Sequence, residues 1–240
     1  MRYAILGDIH SNWEALSTVV AEAKKLKVDR FISVGDIVGY GPDPEPCMDL
    51  LAQISCEAVA GNHDQAVGGL TDFSAFSDGA KAGILWTQEK IHQPYLEKLR
   101  VLPLILQTED FSAVHASLEN PSQWAYVLNN QHAISTIRLQ QRDICFYGHT
   151  HLPVIFREDG NTTVFHEGPV SLTRGHRYLI NAGSVGQPRD GDPHACLLIF
   201  DSTTFSLHMH SFAYDVLKTQ QKILQEGLPA ALALRLSYGR

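Results

Sequence analysis

The chain has 240 residues, 26 of them acidic and 19 basic, which gives a formal net charge of −7. With 44% hydrophobic and 19% charged residues its composition is ordinary for a globular protein, and this excludes a disordered chain, a coiled coil or a collagen-like repeat. The acidic balance argues against a general nucleic-acid or membrane-surface binder, which needs a basic field, while leaving room for a local anion site.

In chain order, residues 2–7 read as a buried strand. Ser11 and Glu14 have capping-box spacing and open an amphipathic helix from about Asn12 to Leu26. Arg30–Val34 is a second strand, ended by Gly35 and Asp36. The loop from Gly39 to Pro44 leads into a helix with Pro44 or Pro46 near its start, running to about Leu51, and Cys56–Ala60 is a third short strand. These are βαβ units, which place a parallel sheet between two covering layers. From Gly68 to about Arg100 the pattern turns helical and less apolar, as an insertion or lid would. From Pro103 onward short strands are expected at Leu104–Gln107, Phe111–His115, Ile144–Tyr147, Val154–Arg157, Thr162–His166, Tyr178–Asn181, Ala195–Phe200 and Phe205–His210. One helix interrupts them near Asn129–Gln141. Asp159-Gly160 and Asp190-Gly191 are hairpin-type turn signals, and residues 214–240 are helical with a break at Gly227 to Pro229. No repeat or polar linker divides the chain, so a single α/β domain over residues 1–240 with two packed sheets is expected.

No window reaches the ~18 uninterrupted apolar residues of a membrane span. The apolar run at the N-terminus is too short for a secretory signal, and Cys47, Cys56, Cys145 and Cys196 form no Cys-x-x-Cys pair. A cytoplasmic location with reduced thiols is therefore expected.

The chemistry lies at the strand ends. After the first strand come Gly7, Asp8 and His10; after the second, Gly35 and Asp36; after the third, Gly61, Asn62, His63 and Asp64. His115 ends the run from Phe111, and Gly148, His149 and His151 come directly after the strand from Ile144. A single Gly-Asp is usually a turn, and a single His after an apolar run is usually a core histidine. Repetition at successive strand ends is what carries the signal, because open α/β sheets bind ligands at their carboxyl edge. Asp, Asn and His supply O and N ligands suited to borderline ions such as Mn, Fe, Zn or Co. Two such ions, about 3.5–4 Å apart, need a bridging carboxylate and clamp both oxygens of a phosphoryl displacement.

In this order and spacing the set Asp8-x-His10, Gly35-Asp36, Gly61-Asn62-His63-Asp64, His115 and Gly148-His149-x-His151 resembles the calcineurin-like metallophosphoesterase superfamily. Residues 35–44 and 183–193 resemble its small bacterial and archaeal branch. The resemblance implies a four-layer αββα sandwich of two mixed β-sheets flanked by helices. By position, it implies one metal on Asp8, His10, Asp36 and His151, and a second on Asp36, Asn62, His115 and His149, with Asp36 bridging. It implies further that a metal-bridging hydroxide attacks, that His63 faces the substrate and assists the leaving oxygen, and that Asp64 holds the His63 imidazole. Mn is the ion expected in assay, with Fe, Zn, Ni or Co as alternatives. Asn12 is a candidate contact to phosphate, or simply a helix cap; Arg189 is another, or simply an ornament of the Asp190-Gly191 turn. Ala116 and Ala182 stand where relatives often have Gly and Pro, which bears on loop shape and not on the ligands.

The expected function is a dinuclear metal phosphohydrolase, first a phosphodiesterase. A phosphoprotein phosphatase, a dinucleoside-polyphosphate hydrolase and a non-catalytic scaffold or sensor are the alternatives. Specificity is assigned to the loops at 38–46, 66–100 and 183–193, with Tyr40, Asp43 and residues 68–80 as candidate pocket walls. The substrate is expected to be a small phosphoester, with nucleic acid only as nucleotides or short oligonucleotides, since the basic cluster Lys24, Lys25, Lys27 reads as a solvated helix face. Ala230–Leu236 reads as a packing helix or a contact in a homo-oligomer, and His92, His132, His166, His176, His194, His208 and His210 as surface or hairpin residues.

Overall fold

The computed structural model describes residues 1–165 and 168–240. Strand β1 (Arg2–Leu6) places Tyr3 and Ile5 on one face and Ala4 and Leu6 on the other, all four buried. A strand that is apolar on both faces has to be covered twice, so it sits inside a layered structure. Beside it run two parallel strands, β2 (Arg30–Ser33), with Ile32 opposite Ile5, and the two-residue β3 (Glu57–Ala58), shorter than the expected Cys56–Ala60. On its other side lie three antiparallel strands: β11 (Ala195–Asp201), β12 (Ser206–Phe212) and β9 (Gly168–Ser171). The sheet order is β3-β2-β1-β11-β12-β9.

The second sheet holds β4 (Ile105–Gln107), β5 (Ser112–Val114), β6 (Ile144–Tyr147), β10 (Tyr178–Asn181), β7 (Val154–Arg157) and β8 (Thr162–Val164), in the order β4-β5-β6-β10-β7-β8. Its β5, β6 and β10 are parallel and the remaining pairs antiparallel, so both sheets are mixed. Hairpin β7–β8 turns at Asp159-Gly160 as expected; of the expected strand Thr162–His166, His166 lies outside the described residues.

Period-2 alternation builds the layers. Tyr3, Ile5, Ile32, Leu198 and Phe200 of the first sheet meet Phe111, Phe146, Tyr178 and Ile180 of the second in the inter-sheet core. Tyr3 meets Phe111 edge to face at 4.9 Å, and its hydroxyl donates to Asp110 at 2.8 Å. The opposite face of the first sheet, with Ala4, Leu6, Leu197 and Ile199, packs on helices α1 (Trp13–Lys25) and α2 (Pro44–Gln53). Val114, Cys145, Tyr147 and Leu179 of the second sheet pack on α6 (Asn130–Ile137). The result is helix, sheet, sheet, helix. Each Leu, Ile or Phe buried in these layers contributes about 1.5–3 kcal/mol.

Helices α3 (Asn62–Val67), α4 (Asp78–Lys90) and α5 (Gln93–Arg100) come after β3. Ile84, Ile91 and Leu99 are buried in the same core as α1, so the segment expected as an insertion or lid is largely part of the first helical layer. Two further helices, α7 (Val216–Gln225) and α8 (Ala230–Leu236), close the chain. No described helix is long and apolar enough to cross a membrane.

At the start of α1 the expected roles shift by one residue. Asn12, not Ser11, is the N-cap, and its Oδ1 accepts from Ala15 N at 3.2 Å. Ser11 is buried in a left-handed conformation (φ 52°) that carries the chain away from β1, so it does not reach the helix N–H groups. Glu14, freed from capping, pairs with Lys222 Nζ at 2.7 Å and Lys218 Nζ at 3.3 Å. Asp43, expected at the pocket wall, also accepts from Lys222, at 2.8 Å. These pairs tie α7 to α1 and to the start of α2. His92, His176 and His194 sit at the surface beside Glu45, Glu158 and Asp192.

Candidate metal centre

The residues just past the parallel strands converge at one edge of the paired sheets. Asp8, His10, Asp36, His149 and His151 all have positive φ, at 47°, 49°, 53°, 67° and 61°. Non-glycine residues in that region cost about 1–3 kcal/mol each and persist where the surroundings over-determine them. Here the strain turns each side chain inward as its strand ends. Two glycines clear the space. A Cβ on Gly61 would collide with Asp36 Oδ1, and one on Gly148 would stand 2.6 Å from Asp8 Oδ2.

Two clusters of donor atoms result. Asp8, His10, Asp36 and His151 form one, and Asp36, His115 and His149 the other, with all ligand atoms in each within 4.8 Å of one another. Asn62 Oδ1 joins the second, 3.0 Å from His115 Nε2. Asp36 Oδ2 lies 3.5 Å from His10 Nε2 and 3.4 Å from His115 Nε2, so the one carboxylate faces both clusters. Its Oδ1 accepts from the backbone N–H of His63 at 2.9 Å, while Asp8 Oδ1 accepts from that of His149 at 2.9 Å.

The fit to cations rests on the tautomers. His10 Nδ1 faces the Val38 carbonyl at 3.2 Å, His115 Nδ1 that of Val34 at 2.8 Å, and His151 Nδ1 that of Gln187 at 2.6 Å. A carbonyl accepts only, so each Nδ1 is the donor and each neutral imidazole presents a lone pair on Nε2. His10 Nε2 and His151 Nε2 then face each other at 3.2 Å with no proton between them. His115 Nε2 meets three further acceptors: Asn62 Oδ1, Asp36 Oδ2 and His149 Nδ1, the last at 3.2 Å. Asp8 Oδ2 and His149 Nε2 are buried without a hydrogen-bond partner among the described residues. Converging acceptors suit a positive charge, which a proton on His115 Nε2 supplies in part, and the O and N donor set suits a borderline metal.

Titration behaviour has its cause in the same geometry. Burial pushes the Asp8 carboxyl up, with Asp36 adding to it. Burial also opposes the charge of Asp36, but His115, His63 and His10 outweigh it and hold its carboxyl well below the usual range. His115 is taken up to about 9 against its own burial by Asp36 and Asp8, so a proton there neutralises part of the carboxylate charge. Burial lowers His149 to about 3 and His63 to about 4, and takes His10 and His151 well below the ordinary imidazole value.

The other expected residues fall into place unevenly. His63 stands beside the cage, its ring 4.8 Å from that of His10 and 4.5 Å from that of Tyr40, and it borders a cavity of about 800 Å³. Asp64 does not hold the imidazole. Its two oxygens accept from Val38 N at 3.1 Å and Gly61 N at 2.9 Å, while His63 Nδ1 has no partner among the described residues. Asp64 therefore fixes the backbone that carries Asn62 and His63. Asn12 is likewise committed elsewhere: besides its cap, its Nδ2 donates to the Gly186 carbonyl at 2.8 Å and to Tyr214 at 3.2 Å. It is not free to bind phosphate. Arg189 lines the cavity with His63 and His149, and its Nη2 donates to Gln187 Oε1 at 2.9 Å.

Three groups of neighbours were not anticipated. Tyr126 stacks on His149 at 4.1 Å, and Trp124 meets His115 edge-on at 5.9 Å. Asn181 Nδ2 donates to the Gly148 carbonyl at 2.7 Å and to Thr150 at 3.0 Å, pinning the loop that carries both histidines. Arg235 of α8 lines the same cavity. Of the segment 68–80, residues 70–72, 75–77 and 80 line it.

A helix–sheet–sheet–helix sandwich with a buried acceptor cage at the carboxyl edge of its strands defines a metallohydrolase of the phosphoester type. Residues 1–204 match the model of the calcineurin-like phosphoesterase superfamily domain, and the chain belongs to that superfamily. An uncharacterized protein of Methanocaldococcus jannaschii is 37% identical over 241 residues, covering 99% of this chain and 98% of its own. A crystal structure of a metallophosphoesterase from Sphaerobacter thermophilus superposes with a TM-score of 0.90 at 36% identity, over 100% of this chain and 99% of that one. A hypothetical protein from Pyrococcus horikoshii OT3 has the same fold, with a TM-score of 0.81 at 20% identity and coverage of 100% and 98%. The chain is a phosphoester hydrolase with a buried Asp/His metal site.

Proposed function

We propose that this hydrolase is a phosphodiesterase for small, nucleotide-sized substrates, working with two metal ions of which manganese is the most effective in assay. The observation that carries the reading is the cavity beside the cage. It is bordered by His63, Asn62, His149 and Arg189, and its walls include Tyr40, Phe76, Trp124 and Tyr126. Aromatic walls suit a second organic arm on the phosphate, and base stacking on such rings contributes about 1–3 kcal/mol.

Asp8, His10, Asp36 and His151 would hold one ion, and Asp36, Asn62, His115 and His149 the other. When bound, such ions polarise phosphoryl oxygens and supply hydroxide at neutral pH. Arg189 offers charge-assisted hydrogen bonds to phosphate oxygens of the substrate. His63 is kept neutral by burial. An anionic phosphate arriving beside it favours the imidazolium, and the proton so gained passes from the ring to the leaving oxygen. The four cysteines are unpaired, which suits a reducing compartment, and we place the enzyme in the cytoplasm.

The test is a substrate panel. Stripped protein is reloaded separately with Mn, Ni, Fe, Zn or Co and assayed with bis(p-nitrophenyl) phosphate, p-nitrophenyl phosphate, a phosphopeptide and a dinucleoside tetraphosphate. The reading expects kcat/KM for the diester to lead by about tenfold or more. A lead for the phosphopeptide or the dinucleotide would replace it with the phosphatase or polyphosphate-hydrolase reading.

A further inference from the structure

The match to the superfamily domain ends at residue 204, and beyond it the chain continues through β12 into α7 and α8, which lie against the site. Ile223, Leu228, Leu232 and Leu236 pack on Tyr40, whose ring meets those of His63 and His10 at 4.5 and 4.7 Å. The Arg235 guanidinium carbon is 5.8 Å from the centroid of the same Tyr40 ring. Through the Lys222 pairs with Glu14 and Asp43, this helical pair is fixed to α1 and α2 rather than hanging free.

Arg235 and Arg189 line one cavity, and among the described residues neither forms an ion pair with an Asp or Glu side chain. Arg189 Nε is buried without a partner among the described residues, and Arg235 Nε donates to the main-chain oxygen of Arg240, the last residue of the sequence, which leaves its two Nη groups for the cavity. Asp72, the one carboxylate on the described cavity wall, is turned to the N–H and hydroxyl of Ser74 at 2.9 and 2.7 Å. Burial, and after it the charge of Arg189, holds the Arg235 guanidinium below the usual arginine range. Two cations that feel each other, with no described Asp or Glu side chain between them, leave a repulsion that an anionic ligand relieves.

We infer that Arg235 and Arg189 form a subsite for a second phosphate group of the substrate, remote from the phosphorus that is cleaved. The inference rests on the phosphodiesterase reading and narrows its substrate class to phosphodiesters that carry a further phosphate. Planar guanidinium forks match phosphate oxygens two at a time, which favours phosphate over a neutral group at this position.

The experiment compares matched probes on the metal-loaded full chain: thymidine 5′-(p-nitrophenyl phosphate) with and without a 3′-phosphate. The ratio of their kcat/KM values is measured for wild type, Arg235→Gln, Arg235→Met and Arg235→Lys. Wild type prefers the 3′-phosphorylated probe, the Gln and Met variants reduce that preference by about tenfold, and Lys restores part of it. Met keeps the apolar stem over Tyr40, so it decides the matter if the Gln variant folds poorly. A ratio within about twofold of wild type in the folded neutral variants overturns the subsite. Binding of thymidine 3′,5′-bisphosphate against thymidine 5′-monophosphate, by calorimetry, separates the subsite from the diesterase activity. If neither diester is cleaved, the diesterase reading fails, and the subsite stands or falls on whether loss of Arg235 removes the bisphosphate preference.

Discussion

His10 and His151 face each other through Nε2 atoms 3.2 Å apart, each with its Nδ1 opposite a backbone carbonyl. Two lone pairs held nose to nose inside a protein are unfavourable until a cation lies between them. That relationship, together with the acceptors that converge on His115 Nε2, is why the edge of the sandwich reads as a metal cage and not as an ordinary buried polar network.

Asp36 faces both clusters, so its replacement is expected to be felt at both. Asp36→Asn keeps the shape and the acceptor from His63 N but removes the charge. Metal content measured by elemental analysis is expected to fall from two ions per chain to one or fewer, with far-UV circular dichroism unchanged. Turnover should fall by about a thousandfold or more, since the action of the paired ions is lost. Wild-type turnover by a metal-poor variant would exclude the site.

His63 lies beside the cage without joining it. His63→Asn is expected to retain metal and to lose about 10²–10⁴ in kcat, the usual worth of a positioned general acid. The loss should be larger for an alkyl leaving group, which needs the proton, than for p-nitrophenolate, which leaves without it. Equal losses for the two would assign His63 to binding alone.

Away from the site, Tyr3 predicts the alkaline limit of stability. Burial and the Asp110 carboxylate push its hydroxyl up to about 12 in the folded protein. The folded state holds this proton more tightly than the unfolded state does, so the contribution is complete below pH about 10 and is lost as pH rises toward 12. Chemical denaturation across that range is expected to show a decline of about 2 kcal/mol attributable to Tyr3 and absent in Tyr3→Phe. The same slope in both proteins would assign the decline to other groups.

Most of the frame is legible in the sequence because apolar runs that end in Gly-Asp, Gly-Asn-His or Gly-His are local patterns. β1, β2, β5 and β6 and the polar residues at their ends are read from such runs. β9 is not, because Gly168-Pro169 opens it and proline is disfavoured in a strand; as an edge strand it tolerates one. Asp64 is misread, and Asn12 takes its cap reading rather than its phosphate one, for a shared reason. A short polar side chain goes to the nearest unsatisfied backbone group, here Val38 N and Gly61 N for Asp64 and Ala15 N and the Gly186 carbonyl for Asn12, and which group is nearest is decided by tertiary structure. Arg235 lies in a stretch that reads only as a packing helix, and it reaches the cavity because Glu14, far back in the chain, anchors α7. Trp124 and Tyr126 carried a faint signal, an aromatic pair in a polar stretch with no strand or helix to account for it.

Two ions in one cage are the central claim, and anomalous scattering from crystals of the manganese-loaded protein measures this directly. Two peaks are expected, one among Asp8, His10, Asp36 and His151 and one among Asp36, Asn62, His115 and His149, with Asp36 touching both. Density that shows these side chains in place and no anomalous signal between them, at saturating manganese, would contradict it.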